Sequence, residues 1–547
     1  MESHFWSEEM ITYIPLMFVM IPVITSIIVY LFKYRAVSRL VFLCQLVLIG
    51  LFMTLIDAGV YENPILFVFG GWNPLFGISF YVDQTSMIFI GLTLIMWTVI
   101  LLFTFKKHRD DHMYLFFLMF LQGIFLGLLQ TNDLFNFFVF LELITVLVTI
   151  MISFNKNGPA YRAGIYYLLI NTLGAMLILI GIIIIYYVYG SINILEVSQV
   201  IAQHASTSIV KLAYVLMLSG VSIKAAFVPL YAWLPRAHSV AQTSVSALLS
   251  GLIVKLSLYA FIRLHHGLFA LAAYDTGTFF FYIGVITGLV GVIFALTQKD
   301  LKQILAYHTV SQIGLMMMGL SSVNEISFQG GFLHIMNHAF FKSLLFLAAG
   351  QIIIAYKTKK VYDIKGVFKT MPVTAIVLIV GMLSISGMPF FSGFVSKSMI
   401  KYAFKENMFQ MFLYTLINIG TTASFIKFSS ILFGPKVKVI QLFRDSKRVI
   451  AMMMLALLSI GIGVFYQELV SFVFGVDVLG KVSFGLDAWL DYGLYVLIGL
   501  LLYRFVIKKD FKFLQNIRAF SMSFEDANFA LIVYLSIFVS LMFFFIS

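Results

Sequence analysis

One cysteine, Cys44, occurs in 547 residues. That excludes a disulfide framework, a cysteine-ligated zinc site and an iron–sulfur cluster built from this chain alone. Charge is also scarce: 11% of residues are Asp, Glu, Lys or Arg, against about a quarter in soluble domains. No polar stretch is long enough to form a soluble domain, and no Gly-rich loop followed by Lys-Ser or Lys-Thr offers a nucleotide site. Carboxylates are scarcest inside the apolar runs. Glu142 is the one acidic side chain well within a run, whereas Asp57, Asp83 and Asp133 lie at run ends. Sodium favours several oxygen ligands with carboxylates among them, which these runs scarcely offer.

What is present is apolar. Hydrophobic residues make up 61% of the chain, and many runs reach the roughly 20 residues that cross a bilayer's hydrocarbon. The expected fold class is an all-α polytopic membrane protein with about 16 spans. They lie near 11–32, 38–59, 85–105, 113–130, 133–154, 163–188, 208–234 (interrupted), 243–263 and 277–297. The rest lie near 301–320, 329–355, 372–400 (interrupted), 407–433, 448–466, 489–507 and 528–546. The net charge of +12 comes from Lys and Arg in loops between spans, a pattern that sets orientation and does not describe a nucleic-acid surface. Basic loops such as "KKHRDDH", "NKNGPAYR", "QKDLKQ" and "YKTKKVYDIKGVFKT" fall on one face, while 60–84 and 189–207 contain no Lys or Arg. The positive-inside rule then places the basic loops in the cytoplasm and both termini outside. The start, "MESHFWSEEM", is acidic and lacks a signal pattern, so no cleaved signal peptide is expected.

Proline in mid-run is read as confined to spans 7 and 12, at Pro229 and Pro389. Each is the fourth member of a five-span unit, spans 4–8 and 9–13, and an odd offset of five inverts the second unit. Paired broken helices in inverted repeats mark the transport site of secondary transporters. The expected organisation is therefore 1–112 (spans 1–3), 113–263 (first repeat), 277–433 (second repeat) and 434–547 (spans 14–16).

Charges inside a membrane are costly and are retained where they are used. Glu142, Lys224, Lys255 and Lys397 lie in spans, and "HIMNHAFFK" puts His334, His338 and Lys342 on one helical face. Lysine between burial and a carboxylate can exchange a proton, and histidine titrates near neutral pH. Glu142, Lys224, Lys255, His334, His338 and Lys397 are therefore read as a line of proton-exchanging groups. The alternatives stay open at this point: snorkelling for Lys255 and Lys397, a purely structural Glu142–Lys224 ion pair, and metal binding by His334 and His338. Lys342 and Lys427 are read as structural or near an interface.

Seven stretches between about 80 and 435 carry a resemblance: "YVDQTSMIF", "NDLFNFFVFLELI", "GVSIKAAFVPLYAWLPRAHS", "VSALLSG", "KDLKQILAYHTVSQIG", "HIMNHAFFKSLLFLAAG" and "SGMPFFSGFVSK". Together they resemble the antiporter-like subunits shared by Mrp-type cation/proton antiporters, respiratory complex I and membrane-bound hydrogenases, and most closely the D-type subunits of Mrp antiporters. The resemblance implies a Glu142–Lys224 pair that gates the proton held further along, Lys255 in helix 8, His334 and His338 in helix 11, and a terminal Lys397. His308 and Ser311 of "AYHTVSQIG" and Lys342 are expected as supporting polar groups. Helix 8 departs from the family pattern, with Gln242 and Ser244 where two prolines are usual.

The implied function is proton translocation within a multisubunit sodium (or other monovalent cation)/proton antiporter in a prokaryotic plasma membrane. The expected partners are other membrane subunits, protons, monovalent cations and the lipid bilayer, with no bound cofactor and no nucleic acid. The alternatives are the pumping subunit of a hydrogenase or NADH dehydrogenase-like complex, an inorganic-carbon uptake system, and a scaffold in which the charges only pack.

Overall fold

The computed structural model describes residues 8–34, 37–72, 77–437, 445–475 and 481–545. The outermost termini and part of the basic loop, 438–444, lie outside them. The principal helices, in chain order, are α1 (Ile14–Leu31), α2 (Leu40–Asp57), α3 (Gln84–His108), α4 (His112–Leu128), α5 (Leu134–Ser153) and α6 (Gly158–Tyr189). Next come α7 (Ser208–Lys224), α8 (Trp233–Val240), α9 (Thr243–Leu268), α10 (Gly277–Thr297), α11 (Leu301–Leu320) and α12 (Glu325–Tyr356). The last are α13 (Pro372–Ser386), α14 (Ser392–Lys401), α15 (Met408–Ser429), α16 (Ser446–Val464), α17 (Leu486–Leu502), α18 (Lys512–Ala519) and α19 (Phe524–Phe544). The expected helical class is borne out, and the expected interruptions fall where the chain leaves helix, after Lys224 and between Ser386 and Ser392. Among the described residues, 12 helices are by themselves long and apolar enough to cross a membrane. The chain is a multi-pass helical membrane protein.

Two findings modify the sequence reading. The stretch read as the plain loop 60–84 carries an antiparallel hairpin, β1 (Ile65–Val68) and β2 (Ser79–Val82), with Ile65 opposite Val82 and Val68 opposite Ser79. Mid-run proline is also not confined to spans 7 and 12, because Pro22 lies inside α1, which stays helical through it. Membrane helices tolerate proline where local adjustment satisfies the freed backbone groups. A break therefore needs more than the ring.

The chain forms two compact units. The first comprises Met1–Lys224, Tyr259–Tyr274 and Val533–Ser547. In it β2 runs into Asp83, whose carboxylate caps α3 by accepting from Ser86 N at 2.9 Å. The same carboxylate takes both terminal nitrogens of Arg263, at 2.5 and 2.6 Å. A forked guanidinium–carboxylate pair fixes geometry as well as charge, so the hairpin end is tied to the last turn of α9. Asn132 donates to Ser79 Oγ at 3.2 Å and to Asn193 Oδ1 at 3.0 Å, and Asp133 caps α5 by accepting from Asn136 N at 2.6 Å. The start of α5 is thus pinned two turns before Glu142.

The second unit comprises Ala225–Leu258 and Asp275–Ile532. Its polar centre lies on α12, which is buried along most of its length and faces α9, α11 and α14. Glycines allow these helices to approach closely. A Cβ on Gly393 would sit on the carbonyl of Ser384, and one on Gly331 would lie 2.7 Å from Leu320 N.

Candidate functional site

The first unit holds one group of candidate residues. Helices α6 and α7 cross at Gly174 and Gly220, where a Cβ on Gly174 would meet the Gly220 carbonyl oxygen at 2.9 Å. Lys224 follows Gly220 by one turn, at the very end of α7. There its Nζ lies 3.5 Å from Glu142 Oε1 on α5 and donates to Thr145 Oγ1 at 2.9 Å. The other Glu142 oxygen accepts from Thr172 Oγ1 on α6 at 3.1 Å. Three helices therefore hold one ion pair. Ser222, two residues before the lysine, shares a 2.8 Å hydrogen bond with Tyr534 of α19.

The second group lies in the second unit. Within α9 the segment Leu249–Ile253 winds as a π turn. Such bulges occur often at functional sites and present backbone groups that an α-helix would engage. Here the Ser250 carbonyl accepts from Lys255 Nζ. Lys255 Nζ also lies 2.6 Å from His338 Nδ1. One turn earlier on α12, His334 pairs Nε2 with Gln312 Oε1 at 3.1 Å and Nδ1 with Ser396 Oγ at 2.8 Å. A neutral imidazole has one donor and one acceptor, so His334 donates from Nε2 and accepts at Nδ1 from the serine hydroxyl. Lys397, the next residue after Ser396, donates to the carbonyl of Ile385 at 2.6 Å, across the break between α13 and α14. Asn337 donates to Ser392 O at 2.8 Å and so fixes the start of α14.

Both breaks precede or surround their prolines. Helix α7 ends at Lys224, five residues before Pro229, and Ala226 takes φ 58°. Between α13 and α14, Gly387 takes φ +79° and Phe390 takes φ 70°. Left-handed backbone at Ala226 and Phe390 costs about 1–3 kcal/mol each, and such positions cluster at functional sites.

The remaining candidates are placed differently. Lys342 is fully buried, with its Nζ 5.8 Å over the Phe346 ring and no hydrogen-bond partner among the described residues. His308 is buried against Phe425, and among the described residues neither its ring nitrogens nor Ser311 Oγ has a hydrogen-bond partner. Buried polar atoms of this kind are normally served by internal water. Lys427 is buried and structural in its contacts: its Nζ donates to the carbonyls of Ala295, Leu296 and Gln298 at 3.0, 2.8 and 2.7 Å. Neither Lys255 nor Lys397 snorkels, since both are buried in the described structure. Among the described residues, no cluster of three or more His, Cys, Asp or Glu is arranged to hold a metal ion.

Sequence reasoning missed Thr145, Thr172, Ser250, Gln312, Ser396 and His238. His238 stacks on Phe346 at 4.6 Å with both nitrogens unpartnered among the described residues. It stood in the quoted stretch "WLPRAHS", but its partner comes from a helix more than a hundred residues away, which no local spacing reveals.

The family described as NADH:quinone oxidoreductase/Mrp antiporter, TM, matches residues 131–429, a stretch that contains both groups. The chain belongs to this family. Among relatives, the D-type subunit of the Na(+)/H(+) antiporter of Alkalihalophilus pseudofirmus is 30% identical over 385 residues, spanning 69% of this chain and 78% of that protein. The putative antiporter subunit mnhD2 of Staphylococcus saprophyticus is 30% identical over 351 residues, spanning 64% of this chain and 70% of its own length. A chain in the structure of the Mrp complex from Dietzia sp. DQ12-45-1b shares the fold with a TM-score of 0.75 at 23% identity, covering 93% of this chain and 100% of that chain. A chain of the membrane-bound sulfane sulfur reductase, an archaeal respiratory membrane complex, does so with a TM-score of 0.77 at 23% identity, covering 88% and 99%. The resemblance read from the seven sequence stretches is borne out by this membership.

Proposed function

We propose that this family member is a proton-translocating subunit of a multisubunit antiporter that exchanges sodium or another monovalent cation for protons, driven by the proton motive force. The observation that carries the reading is the buried approach of Lys255 Nζ to His338 Nδ1 at 2.6 Å. At that distance a proton passes from the Lys255 ammonium to the imidazole, leaving a neutral amine, with no heavy atom travelling. An imidazole that receives a proton at Nδ1 releases one from Nε2, and His338 Nε2 has no protein partner among the described residues. Water there would take the proton onward.

In this reading Glu142 and Lys224 form the gate of the first unit, and Lys255, His338, His334 and Lys397 form the relay of the second. Lys342, His308 and Ser311 line the hydrated surroundings, and the breaks near Pro229 and Pro389 free backbone groups for protons and water. We further propose the two inverted repeats, 113–263 and 277–433, flanked by 1–112 and 434–547, in a prokaryotic plasma membrane with the basic loops cytoplasmic. Other membrane subunits complete the transporter, and the chain itself is not an enzyme. The relatives named as antiporter subunits support this reading.

A redox-driven complex is the second reading, favoured by the likeness to the sulfane sulfur reductase chain. Native mass spectrometry of the gently solubilised complex, pulled down through this chain, separates the two. Small multi-span companions without metal, together with sodium-dependent proton flux in proteoliposomes, are expected. Iron-bearing companions, or no flux in response to any monovalent cation, would overturn the antiporter reading.

A further inference from the structure

The linker between α17 and α19, "RFVIKKDFKFLQNIRAF", alternates basic and aromatic residues. Arg504, Lys508, Lys509 and Lys512 are exposed, and so are Phe505, Phe511 and Phe513, at 53%, 43% and 53%. The opposite side of α18 is buried at Leu514, so the short helix lies on the protein with its cationic and aromatic side outward. Asp510 is the one carboxylate of the stretch. It is consumed by the protein, with Oδ2 accepting from Lys299 Nζ at 2.6 Å and Oδ1 from Arg518. Arg518 also donates from Nε to the Thr297 carbonyl at 2.7 Å. Among the described residues, no acidic side chain pairs with Arg504, Lys508, Lys509 or Lys512.

We propose that Arg504, Lys508, Lys509 and Lys512, with Phe505, Phe511 and Phe513, form a binding site for the headgroups of anionic phospholipids. The patch begins where an apolar helix ends, which sets it at headgroup level. Exposed phenyl rings beside lysines partition into the interface while the ammonium groups meet lipid phosphates. A protein partner would need an acidic surface and a socket for three rings, whereas an anionic leaflet offers both chemistries without shape complementarity. The Asp510 bridges hold the segment in place and keep its only negative charge turned away from the lipid.

The test is a titration of the full-length protein, in mild detergent, with phosphatidylglycerol or phosphatidylcholine, counting bound lipid by native mass spectrometry. A basic residue beside an anionic surface strengthens binding by about five-fold. Lys508→Gln/Lys509→Gln/Lys512→Gln should therefore weaken the tightest phosphatidylglycerol site by about ten-fold to a hundred-fold, and the triple Arg variant should keep it. Wild-type binding should also fall as salt is raised. Equal phosphatidylglycerol retention by wild type and the Gln variant overturns the proposal, as does salt-insensitive wild-type binding. Loss of a companion subunit with lipid retention unchanged also overturns it and assigns the patch to an acidic protein surface.

Discussion

Glu142→Gln is the most informative single change, because it deletes a charge while keeping the side chain's length and its acceptor toward Thr172. At the 3.5 Å separation of Lys224 and Glu142, a full ion pair is worth about 5 kcal/mol with an effective dielectric of about 20. Breaking a buried pair costs about 3–5 kcal/mol in practice. Two features favour the lower end: the Glu142 side chain is 20% exposed, and Lys224 keeps its bond to Thr145. An expected penalty of about 3 kcal/mol on the paired state corresponds to a loss of about a hundred-fold in coupled flux. The assay is sodium-driven quenching of a pH-sensitive dye in proteoliposomes carrying the whole complex, normalised to inserted protein. Glu142→Asp, which keeps the charge but shortens the reach, should fall between wild type and Gln. Flux above half of wild type in Glu142→Gln would refute the gating role and leave the pair as packing.

The Gly174–Gly220 crossing gives a second expectation. A Cβ on Gly220 would be driven into the Gly174 carbonyl, backbone that cannot swing aside, so Gly220→Val should separate α6 from α7. It should destabilise the protein by about 1–3 kcal/mol, or more, and lower flux, read together by thermal unfolding in detergent and the proteoliposome assay. Lys427→Met should strip three carbonyls of their donor and destabilise by about 2–4 kcal/mol. Flux per folded molecule should nevertheless stay within two-fold of wild type, and a selective loss of flux would place Lys427 in the relay. Asp510 is held below the ordinary carboxylate range by its hydrogen bonds from Arg518 first and Lys299 second. A depressed folded value means that its contribution is present above the unfolded value and fades as pH falls through the folded one. Limited proteolysis of the 508–523 segment should be unchanged from pH 8 to 5 and should rise below about pH 4; a rise near pH 6 would contradict this origin.

The spans were legible because a run of some 20 apolar residues has one comfortable environment, and Glu142 and Lys224 because an intramembrane charge is too costly to keep idle. The hairpin β1–β2 was not legible: two four-residue strands carry too few positions for an alternation to stand out. Pro22 shows that proline marks a possible break only, and that Ala226, Gly387 and Phe390 contribute the backbone turn at the real ones. The bond between Ser222 and Tyr534 joins residues 312 apart in the chain, and nothing local in either segment announces it. Lys427 was read as structural or interfacial without its partners, since its acceptors are main-chain atoms that leave no trace in a string of side chains.

Lys255, Lys397 and Lys427 all give hydrogen bonds to backbone carbonyls, and among the described residues only Lys224 of these buried lysines has a carboxylate opposite it. A counter-charge made of peptide groups cannot be removed by point mutation. It persists while every side chain around it drifts, and it disappears only if the helix end or π turn is rebuilt. Relatives can therefore diverge widely in the residues lining these lysines and still seat the cation in the same way. An alanine scan of the same neighbourhood would pass over the acceptors altogether. Finding them requires editing the main chain itself, for example by replacing an amide with an ester and so weakening one carbonyl at a time.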